Sequence, residues 1–446
     1  MDMKLFKKLY IVSICLILSA PLFLMPFAQD TSAEKRQLSK FPALVTEHGL
    51  NTDFFSELDT WMTEHFPFRA EIISSNNLLK ATLFGASDED QVVVGKNGWL
   101  YFSQTLPDYF GENTMTQAQI QQIATTLSLV DEFVTQSGAD FVFAVAPNKN
   151  TIYPQFMPAH YQPGQGATNL DRLHGLLQGK SFYVDLQGAL VGNAEQVYHA
   201  RDSHWNNLGA WIAWRQIASA AGRKDNLFQE ADYTWQQNWR GDLEDMIFPA
   251  FSFMDWQADF DVDWTYQITS NFRSEEDILI TTENSKGKGR LLMFRDSFGN
   301  ALFPFFAQSY EQAVFSRAVP YDLRAIDAYD TVIIEIVERN LSNLIRTAPV
   351  MPAPVRQMQG TQTQALVSTR QQKGLLHIYG SFAGNAQHIY LQLSNGEDTF
   401  VVEAFPILEK ALLDSKGADC LENGFSAYVS AEYKDYQVTV LIATED

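Results

Sequence analysis

The sequence predicts an α/β protein with a mostly parallel sheet flanked by helices, followed by a small C-terminal all-β domain with a sandwich-like pattern. Apolar segments such as ADFVFAVAP and DTVIIEIVER have the continuous hydrophobicity of strands that are buried on both faces. Segments with helical spacing alternate with these strands along the chain. After about residue 365, short runs of alternating apolar and polar residues are separated by Gly and Asn turns, which is typical of an antiparallel sandwich.

The predicted elements follow one another from a helical segment through a hairpin to alternating helices and strands. Residues 54–84 have helical spacing that is interrupted at Phe66-Pro67, which predicts one or two helices split at that point. The run QVVVGKNGWLYF places turn residues between two β-type segments, which predicts a hairpin. A helix with a Thr cap signal and a Gly stop then leads into ADFVFAVAP. The same alternation recurs in DRLHGLLQGK, SFYVDL, LGAWIAWRQIASAAG, GRLLMFRDS, GNALFPFFAQSY, AVFSR and DTVIIEIVER.

The composition predicts a large globular protein and excludes one class of partner. Apolar residues make up 46% of the 446 residues, so the chain can bury sizeable cores. Acidic residues number 53 against 32 basic ones, which gives a formal net charge of -21. Because this charge would repel a phosphate backbone, nucleic acid is excluded as a partner.

The N-terminus predicts export from the cytoplasm. Lysines at positions 4, 7 and 8 precede an uncharged, mostly apolar run from Leu9 to Phe27. No small-x-small cleavage site follows the run, so an uncleaved anchor is favoured over a cleaved signal peptide. The basic flank would stay in the cytoplasm. We therefore expect the rest of the chain to be extracytoplasmic, on the periplasmic side, and either anchored to the cytoplasmic membrane or secreted.

The pattern divides the chain into four parts. Residues 1–29 are the predicted signal anchor or signal peptide, and residues 30–346 form the predicted α/β domain. The stretch TAPVMPAPVRQMQGTQTQ is rich in Pro and Gln, which predicts a linker over residues 347–364. Residues 365–446 form the predicted β-rich C-terminal domain.

Two polar segments lie where the predicted strands end or the next helix begins. YHARDSHW precedes the helix that starts near Asn206, and FRDSFGN directly follows the strand RLLMF. Catalytic groups gather at the carboxyl ends of strands in open α/β sheets. A serine at such a turn needs a histidine base and an acid that orients the base. Each segment alone also fits an ordinary solvated loop or a helix cap, so only their joint occurrence predicts a catalytic site.

These segments resemble the SGNH hydrolase-like proteins of polysaccharide O-acetylation, the alginate O-acetyltransferase group typified by AlgJ and AlgX. The resemblance covers about residues 34–341 and rests on EKRQLSKFPAL, HFPFR, VVVGKNGWLYF, VAPNKNTIYP, DSHWNNLGA, FRDSF and VIIEIVERNL, in the family order. It implies an SGNH-hydrolase-like fold, with Ser297 as nucleophile, His204 as general base and Asp202 as the acid that orients it. It also implies a polysaccharide acceptor and a membrane-bound O-acyltransferase partner that supplies acetyl groups.

Several neighbouring residues carry secondary expectations. The family usually has Gly before the Asp-Ser pair, whereas this chain has Arg295, a bulky cation where a close backbone approach is expected. Asp296 is expected to cap the turn rather than to join the chemistry. Asn148 also follows a predicted strand and is the candidate side-chain donor of an oxyanion hole, beside the N–H of Ser297. A turn asparagine is the alternative interpretation of Asn148.

The sequence predicts no cofactor and no metal site, because it lacks a His-x-x-x-His pair, a Cys pair and a phosphate-binding Gly-rich loop followed by Ser or Thr. The leading hypothesis is an O-acetyltransferase that acts on an exopolysaccharide or a cell-envelope glycan through an acetyl-serine intermediate. A carbohydrate acetyl esterase with the same triad is a close alternative, since only the acceptor differs. A non-catalytic scaffold that binds glycan during export is the third possibility.

Overall fold

The described part of the computed structural model comprises residues 3–24, 39–47, 49–223, 232–357, 360–384, 386–408 and 423–443. Two helices separated at Phe66-Pro67 and a short antiparallel hairpin are present as predicted. The N-terminal elements are α1 (Met3–Leu24), β1 (Val45–Thr46), β2 (Gly49–Leu50), α2 (Phe54–Glu64), α3 (Arg69–Phe84), β3 (Val92–Val94), β4 (Leu100–Phe102) and α4 (Leu106–Phe110).

The predicted anchor run overlaps α1 but extends beyond it. Residues 25–27 of that run lie outside the described residues. Within the described ranges, no helix has both the length and the apolar character needed to cross a membrane.

A seven-stranded mixed sheet forms the centre of the α/β part. Its elements are α5 (Gln117–Gln136), β5 (Asp140–Ala146), α6 (Lys149–Ile152), α7 (Asn169–Leu177), β6 (Tyr183–Val184), α8 (Leu186–Leu190), α9 (Asn207–Ala220), β7 (Tyr233–Trp239), α10 (Asp242–Ile247), β8 (Asp255–Phe260), β9 (Gln267–Ile268), β10 (Leu279–Glu283), β11 (Arg290–Phe294), α11 (Gly299–Ser309), β12 (Gln312–Ser316) and β13 (Thr331–Val337). The strand order is β6-β5-β13-β11-β12-β10-β9, while β7 and β8 form a separate two-stranded antiparallel sheet. The first five strands are parallel to one another, β10 pairs antiparallel with β12, and β9 pairs antiparallel with β10.

Alternate residues of the central strands fill two separate cores. On β5, Val142 and Ala144 face the core beneath α9 and α11, whereas Phe141 and Phe143 face the core beneath α5 and α7. Burial on both faces explains why these strands are continuous apolar runs rather than alternating ones. The parallel strands β5, β13 and β11 therefore end at one common edge, where the polar segments follow them.

The C-terminal part is one connected antiparallel sheet. Its strands are β14 (Val355–Arg356), β15 (Thr361–Gln362), β16 (Ala365–Gln372), β17 (Leu375–Phe382), β18 (His388–Ser394), β19 (Thr399–Ile407), β20 (Asn423–Ser430) and β21 (Gln437–Ala443). Strand β19 pairs with β18 through its first residues and with β20 through its last three. Because one strand joins both halves, the sheet curls around its own core instead of forming the two separate sheets of the predicted sandwich.

The predicted linker is packed along much of its length. Val350 and Met351 are fully buried, β14 pairs with β19, and β15 pairs with β21. The Arg356 guanidinium donates to Glu132 on α5 at 2.6 Å and to Glu403 on β19 at 2.6 Å. A Pro- and Gln-rich composition predicts a loose connection, but these residues fasten the C-terminal sheet to α5. The domain boundaries themselves stay predictions.

Candidate active site

Ser297 lies in the turn between β11 and α11, at the carboxyl edge of the central sheet. Asp296 holds this turn with both carboxylate oxygens: Oδ1 accepts the N–H of Phe298 at 2.9 Å, and Oδ2 accepts the N–H of Val337 at 2.7 Å. Asp296 therefore has the capping role expected of it. A side chain at Gly299 would place its Cβ 2.6 Å from the Cβ of Arg295, so the turn requires glycine there.

The turn accommodates Arg295 despite its size. Its side chain is buried and donates to the carbonyl of Glu275 at 2.6 Å and to the carbonyl of Asp296 at 3.2 Å. A further bond to Asn300 ties it to the first turn of α11. These contacts place the guanidinium beside the turn, and the serine hydroxyl remains directed at the histidine.

The loop before α9 carries His204 and Asp202, the predicted base and acid. Asn206 caps α9 by accepting the N–H of Gly209 at 3.0 Å, which fixes where the loop ends. Trp205 Nε1–H donates to the carbonyl of Phe298 at 3.0 Å and so links this loop to the serine turn. The two polar segments, far apart in sequence, are thereby held against each other.

The structure brings Ser297, His204 and Asp202 together in one hydrogen-bonded series. Ser297 Oγ lies 2.8 Å from His204 Nε2, and His204 Nδ1 lies 2.7 Å from Asp202 Oδ1. These distances fit a hydroxyl that donates to Nε2 and an Nδ1–H that donates to the carboxylate. The series has the geometry required of a serine nucleophile, its base and an orienting acid.

Asp202 is buried, with only 3% of its surface exposed, and it is held as an anion. Oδ1 also accepts the backbone N–H of His204 at 2.9 Å. Oδ2 accepts Trp239 Nε1–H at 3.0 Å and the N–H of Asp242 at 3.1 Å. Burial alone would raise the pKa of Asp202, but the hydrogen bond and charge of His204 outweigh it and hold this pKa well below its usual range.

Asp242, the first residue of α10, places a second carboxylate beside His204. Its Oδ2 lies 3.6 Å from His204 Nδ1 and accepts the hydroxyl of Ser203 at 2.6 Å. Burial lowers the pKa of His204, but the hydrogen bond and charge of Asp202, followed by the charge of Asp242, raise it above its ordinary value. Burial, followed by the charge of Asp202, raises the pKa of Asp242 itself. Sequence reasoning missed Asp242, because GDLED is an ordinary acidic helix start.

Lys149 holds the loop that carries Asp202 and His204 in place. Its ammonium is buried and donates to the carbonyls of Leu100, Ala200 and Asp202 at 2.6, 2.7 and 2.9 Å. It also lies 4.9 Å from the ring centroid of Trp99. Burial lowers the pKa of Lys149 to about 7. Lys149 thus ties the β3–β4 hairpin to the loop that carries Asp202 and His204.

Asn148 lies at the same sheet edge, directly after β5. Its backbone N–H donates to Glu338 at 2.8 Å, and its Nδ2 donates to Asp108 at 3.0 Å. An amide has two N–H donors, so one remains available after the bond to Asp108. In the described part of the chain, the N–H of Ser297 has no protein acceptor. The oxyanion role expected of Asn148 and Ser297 stays a prediction.

Among the described residues, the group whose spacing could hold a metal ion is Asp202, His204 and Asp242. Both ring nitrogens of His204 already have partners, Asp202 on Nδ1 and Ser297 on Nε2. A metal ligand would have to give up one of these bonds. The donor set therefore fits the hydrogen-bonded series better than it fits a metal centre.

In a comparison with known protein families, residues 92–284 match the family described as SGNH hydrolase-like domain, acetyltransferase AlgX. This range contains Asp202 and His204 and ends before Ser297.

Curated relatives and solved structures are also similar to parts of this chain. The chain is 25% identical over 202 residues to the probable alginate O-acetylase AlgJ of Pseudomonas syringae pv. tomato. The matched region covers 44% of this chain and 50% of that protein. The chain thus spans about half the length of this curated relative. The structure of Bacillus cereus PatB1 is 16% identical with a TM-score of 0.43, covering 56% of this chain and 96% of that one. The O-acetyltransferase domain of Pseudomonas putida AlgJ is 18% identical with a TM-score of 0.37, covering 56% and 91%. The family match and the AlgJ relatives confirm the resemblance inferred from the sequence.

Proposed function

We propose that this protein is an extracytoplasmic O-acetyltransferase that transfers acetyl groups to hydroxyls of an exopolysaccharide or cell-envelope glycan. The observation that carries the proposal is the series Asp202–His204–Ser297, whose two hydrogen bonds measure 2.7 and 2.8 Å. The match of residues 92–284 to an acetyltransferase family supports acetyl transfer. The relatives named as probable alginate O-acetylases support a polysaccharide acceptor.

In the first half-reaction, Ser297 Oγ attacks the carbonyl carbon of the acetyl donor and gives its proton to His204 Nε2. The bond between the acetyl carbon and the donor's leaving oxygen then breaks, and His204 returns the proton to that oxygen. The product is an acetyl ester on Ser297. Asp202 stabilises the imidazolium that forms between these two proton transfers, because its buried carboxylate accepts Nδ1–H throughout.

In the second half-reaction, a glycan hydroxyl takes the place of the leaving group. His204 Nε2 removes the hydroxyl proton while the oxygen attacks the acetyl-serine carbonyl. The bond between the acetyl carbon and Ser297 Oγ then breaks, and His204 returns the proton to that oxygen. The acetyl group ends on the sugar, and the enzyme is regenerated. Water in place of the sugar would give an esterase, so exclusion of water from Ser297 decides the outcome.

The developing oxyanion requires fixed donors beside Ser297. We assign the N–H of Ser297 as the first donor, because it has no protein acceptor within the described ranges. The second N–H of Asn148 Nδ2 is the candidate side-chain donor, since Asn148 lies at the same sheet edge. The hydrogen bonds that Asn148 donates to Asp108 and Glu338 fix its position before a substrate arrives.

The proposed location and partner follow from the N-terminal sequence and the family resemblance. A basic flank followed by an apolar run predicts export, and the acetyl group must then reach Ser297 on the far side of the membrane. We propose that a membrane-bound O-acyltransferase supplies it. The N-terminal segment, as an uncleaved anchor, would hold the two proteins in one membrane.

A turnover assay separates the three candidate functions. The full chain is incubated with p-nitrophenyl acetate as acetyl donor and with oligosaccharide acceptors, and both the sugars and free acetate are quantified by mass spectrometry. Ser297-dependent acetylated sugar supports the transferase. Free acetate without acetylated sugar supports the esterase, and no difference between wild type and Ser297→Ala supports the scaffold. Ser56→Ala, which changes an exposed serine on α2, is the matched control and should behave as wild type.

A further inference from the structure

A cavity of about 160 Å³ lies between α5 and β13, on the face of the central sheet that α5 covers. Arg295 and Asp296, the two residues before Ser297, form part of its wall. Most of the remaining wall is apolar and includes Leu127, Val130, Ile334, Ile336 and Leu344. The cavity therefore borders the serine turn from the α5 side of the sheet.

Three side chains that line this cavity carry a buried polar atom without a hydrogen-bond partner among the described residues. These atoms are Thr126 Oγ1, Arg295 Nε and Glu335 Oε1. The three residues are 1%, 4% and 1% exposed, so bulk water does not satisfy these atoms. Buried polar groups are nearly always hydrogen-bonded, because an unpaired one costs free energy. Three unpaired atoms around one cavity therefore point to a polar ligand that pairs with them.

Arg295 gives the cavity a buried positive charge. Its N–H groups donate to the carbonyls of Glu275 and Asp296 and to the side chain of Asn300. Within the described part of the chain, no carboxylate lies at ion-pair distance from it. Burial, followed by the charge of Arg317, lowers the pKa of Arg295 to about 10, so the guanidinium stays charged at neutral pH. Because a buried cation is unfavourable without an anion, the ligand should bring a negative charge.

Glu335 acts as a hydrogen-bond donor towards the cavity. Its Oε2 accepts the N–H of Asp296 at 3.3 Å, which leaves Oε1 for the proton of the carboxyl group. Burial, followed by the charge of Asp296, raises the pKa of Glu335 well above its ordinary value. The carboxyl is therefore protonated at neutral pH and can donate from Oε1. Together with the Thr126 hydroxyl and Arg295 Nε–H, it offers three donors to one anionic group.

The walls and the size of the cavity restrict what else the ligand contains. The two oxygens of a carboxylate can accept about four hydrogen bonds, enough for all three donors. Sugar hydroxyls would lose their hydrogen bonds against the apolar walls, so a glycan does not fit. An apolar cavity of about 150 Å³ holds a molecule the size of benzene.

We propose that this cavity binds a small organic monocarboxylate, with its carboxylate on Thr126, Arg295 and Glu335 and its apolar body among the side chains of α5 and β13. The site is separate from the proposed acetyl transfer and goes beyond it. Because Arg295 and Glu335 both bond to Asp296, the bound carboxylate would contact two side chains that hold the serine turn.

Calorimetric titration of the full-length protein with benzoate and with benzamide tests the proposal. Benzamide has the same ring and nearly the same shape as benzoate but no charge. We expect benzoate to bind about tenfold more tightly than benzamide, as one charge-assisted hydrogen bond would give. Thr126→Val keeps the shape of the side chain and should weaken benzoate binding about tenfold, and Arg295→Gln should remove the preference for benzoate. Thr135→Val changes an exposed threonine on the same helix and is the matched control.

Three outcomes would overturn the assignment. The first is equal affinity for benzoate and benzamide, or no binding of either. The second is benzoate binding that Thr126→Val leaves unchanged, since the ligand would then lie elsewhere. The third is tighter binding of glucuronate than of benzoate that Thr126→Val weakens, because this would make the cavity a sugar site. Thr126→Val keeps the titration decisive if Arg295→Gln does not fold, and no turnover is needed, so the result is independent of acetyl transfer.

Discussion

The second carboxylate beside His204 gives the site a pH dependence that can be shifted by one substitution. Asp242→Asn removes the negative charge but keeps the shape of the side chain, and the backbone N–H of residue 242 can still donate to Asp202. The amide can also retain a hydrogen bond to Ser203. Because the charge of Asp242 raises the pKa of His204, its removal should lower that pKa.

The size of the shift follows from the distance between the two groups. Asp242 Oδ2 lies 3.6 Å from His204 Nδ1, and 34% of the Asp242 side chain is exposed. Two unit charges about 4 Å apart interact by about 1 kcal/mol in water and by about 4 kcal/mol at an effective dielectric constant of about 20. Because the Asp242 side chain is partly exposed, the smaller interaction energy applies. About 1.4 kcal/mol corresponds to one pKa unit. We therefore expect the pKa of His204 to fall by about one unit.

The assay is the rate of Ser297 acetylation by p-nitrophenyl acetate, followed as p-nitrophenol release across the neutral pH range. His204 accepts the serine proton only when it is neutral, so kcat/KM should rise with pH through the pKa of His204. Asp242→Asn should move this rise to lower pH by about one unit. Asp245→Asn, on the same helix, removes an acid that pairs with Arg240 and should leave the midpoint in place. An unchanged or higher midpoint in Asp242→Asn would show that the charge of Asp242 does not raise the pKa of His204.

Three further substitutions test how the loop around Asp202 is held. Trp239→Phe removes the indole donor at 3.0 Å from Asp202 and should lower kcat/KM for Ser297 acetylation about tenfold; wild-type kinetics would contradict this. Gly241→Ala would place a Cβ 2.3 Å from the carbonyl oxygen of Arg201, so thermal unfolding should show a lower melting temperature. An unchanged melting temperature would mean that the backbones at Gly241 and Arg201 do not lie in close contact. Lys149→Met leaves three carbonyls without their donor and should lower the free energy of unfolding in urea by about 3 kcal/mol, whereas no loss would show that the buried ammonium does not stabilise the loop.

The local pattern marked the two segments that carry the hydrogen-bonded series, and the family resemblance supplied the expected roles of Ser297, His204 and Asp202. Ser297 lies in the turn that follows an apolar strand, and His204 lies in the loop before a helix with its own cap. Parallel strands that share one sheet must end at one edge, so the topology alone brings such segments close together. The alternation of helices and strands in residues 117–220 and 290–337 was predictable because it depends on local periodicity, whereas β7 to β10 and α10, which lie between these ranges, were not predicted.

The residues around Ser297, His204 and Asp202 are placed by long-range contacts that local sequence patterns do not predict. Trp239 and Asp242 lie 37 and 40 positions from Asp202, on a hairpin and a helix whose sequences carry no catalytic signal. Lys149 is an ordinary residue after a strand until the fold buries its ammonium among carbonyls. Composition likewise could not show that Arg356 in the predicted linker meets Glu132 on α5. Long-range packing, rather than propensity, decides each of these contacts.

The most direct test of acetyl transfer through Ser297 is to follow one labelled acetyl group. Full-length protein is exposed briefly to p-nitrophenyl [¹³C]acetate and freed of excess donor. Peptide mass spectrometry then locates the label before and after an oligosaccharide is added. We expect a labelled acetyl ester on Ser297 that disappears as the label appears on the sugar, and we expect neither signal in Ser297→Ala. Labelled sugar formed equally well by Ser297→Ala would contradict this expectation.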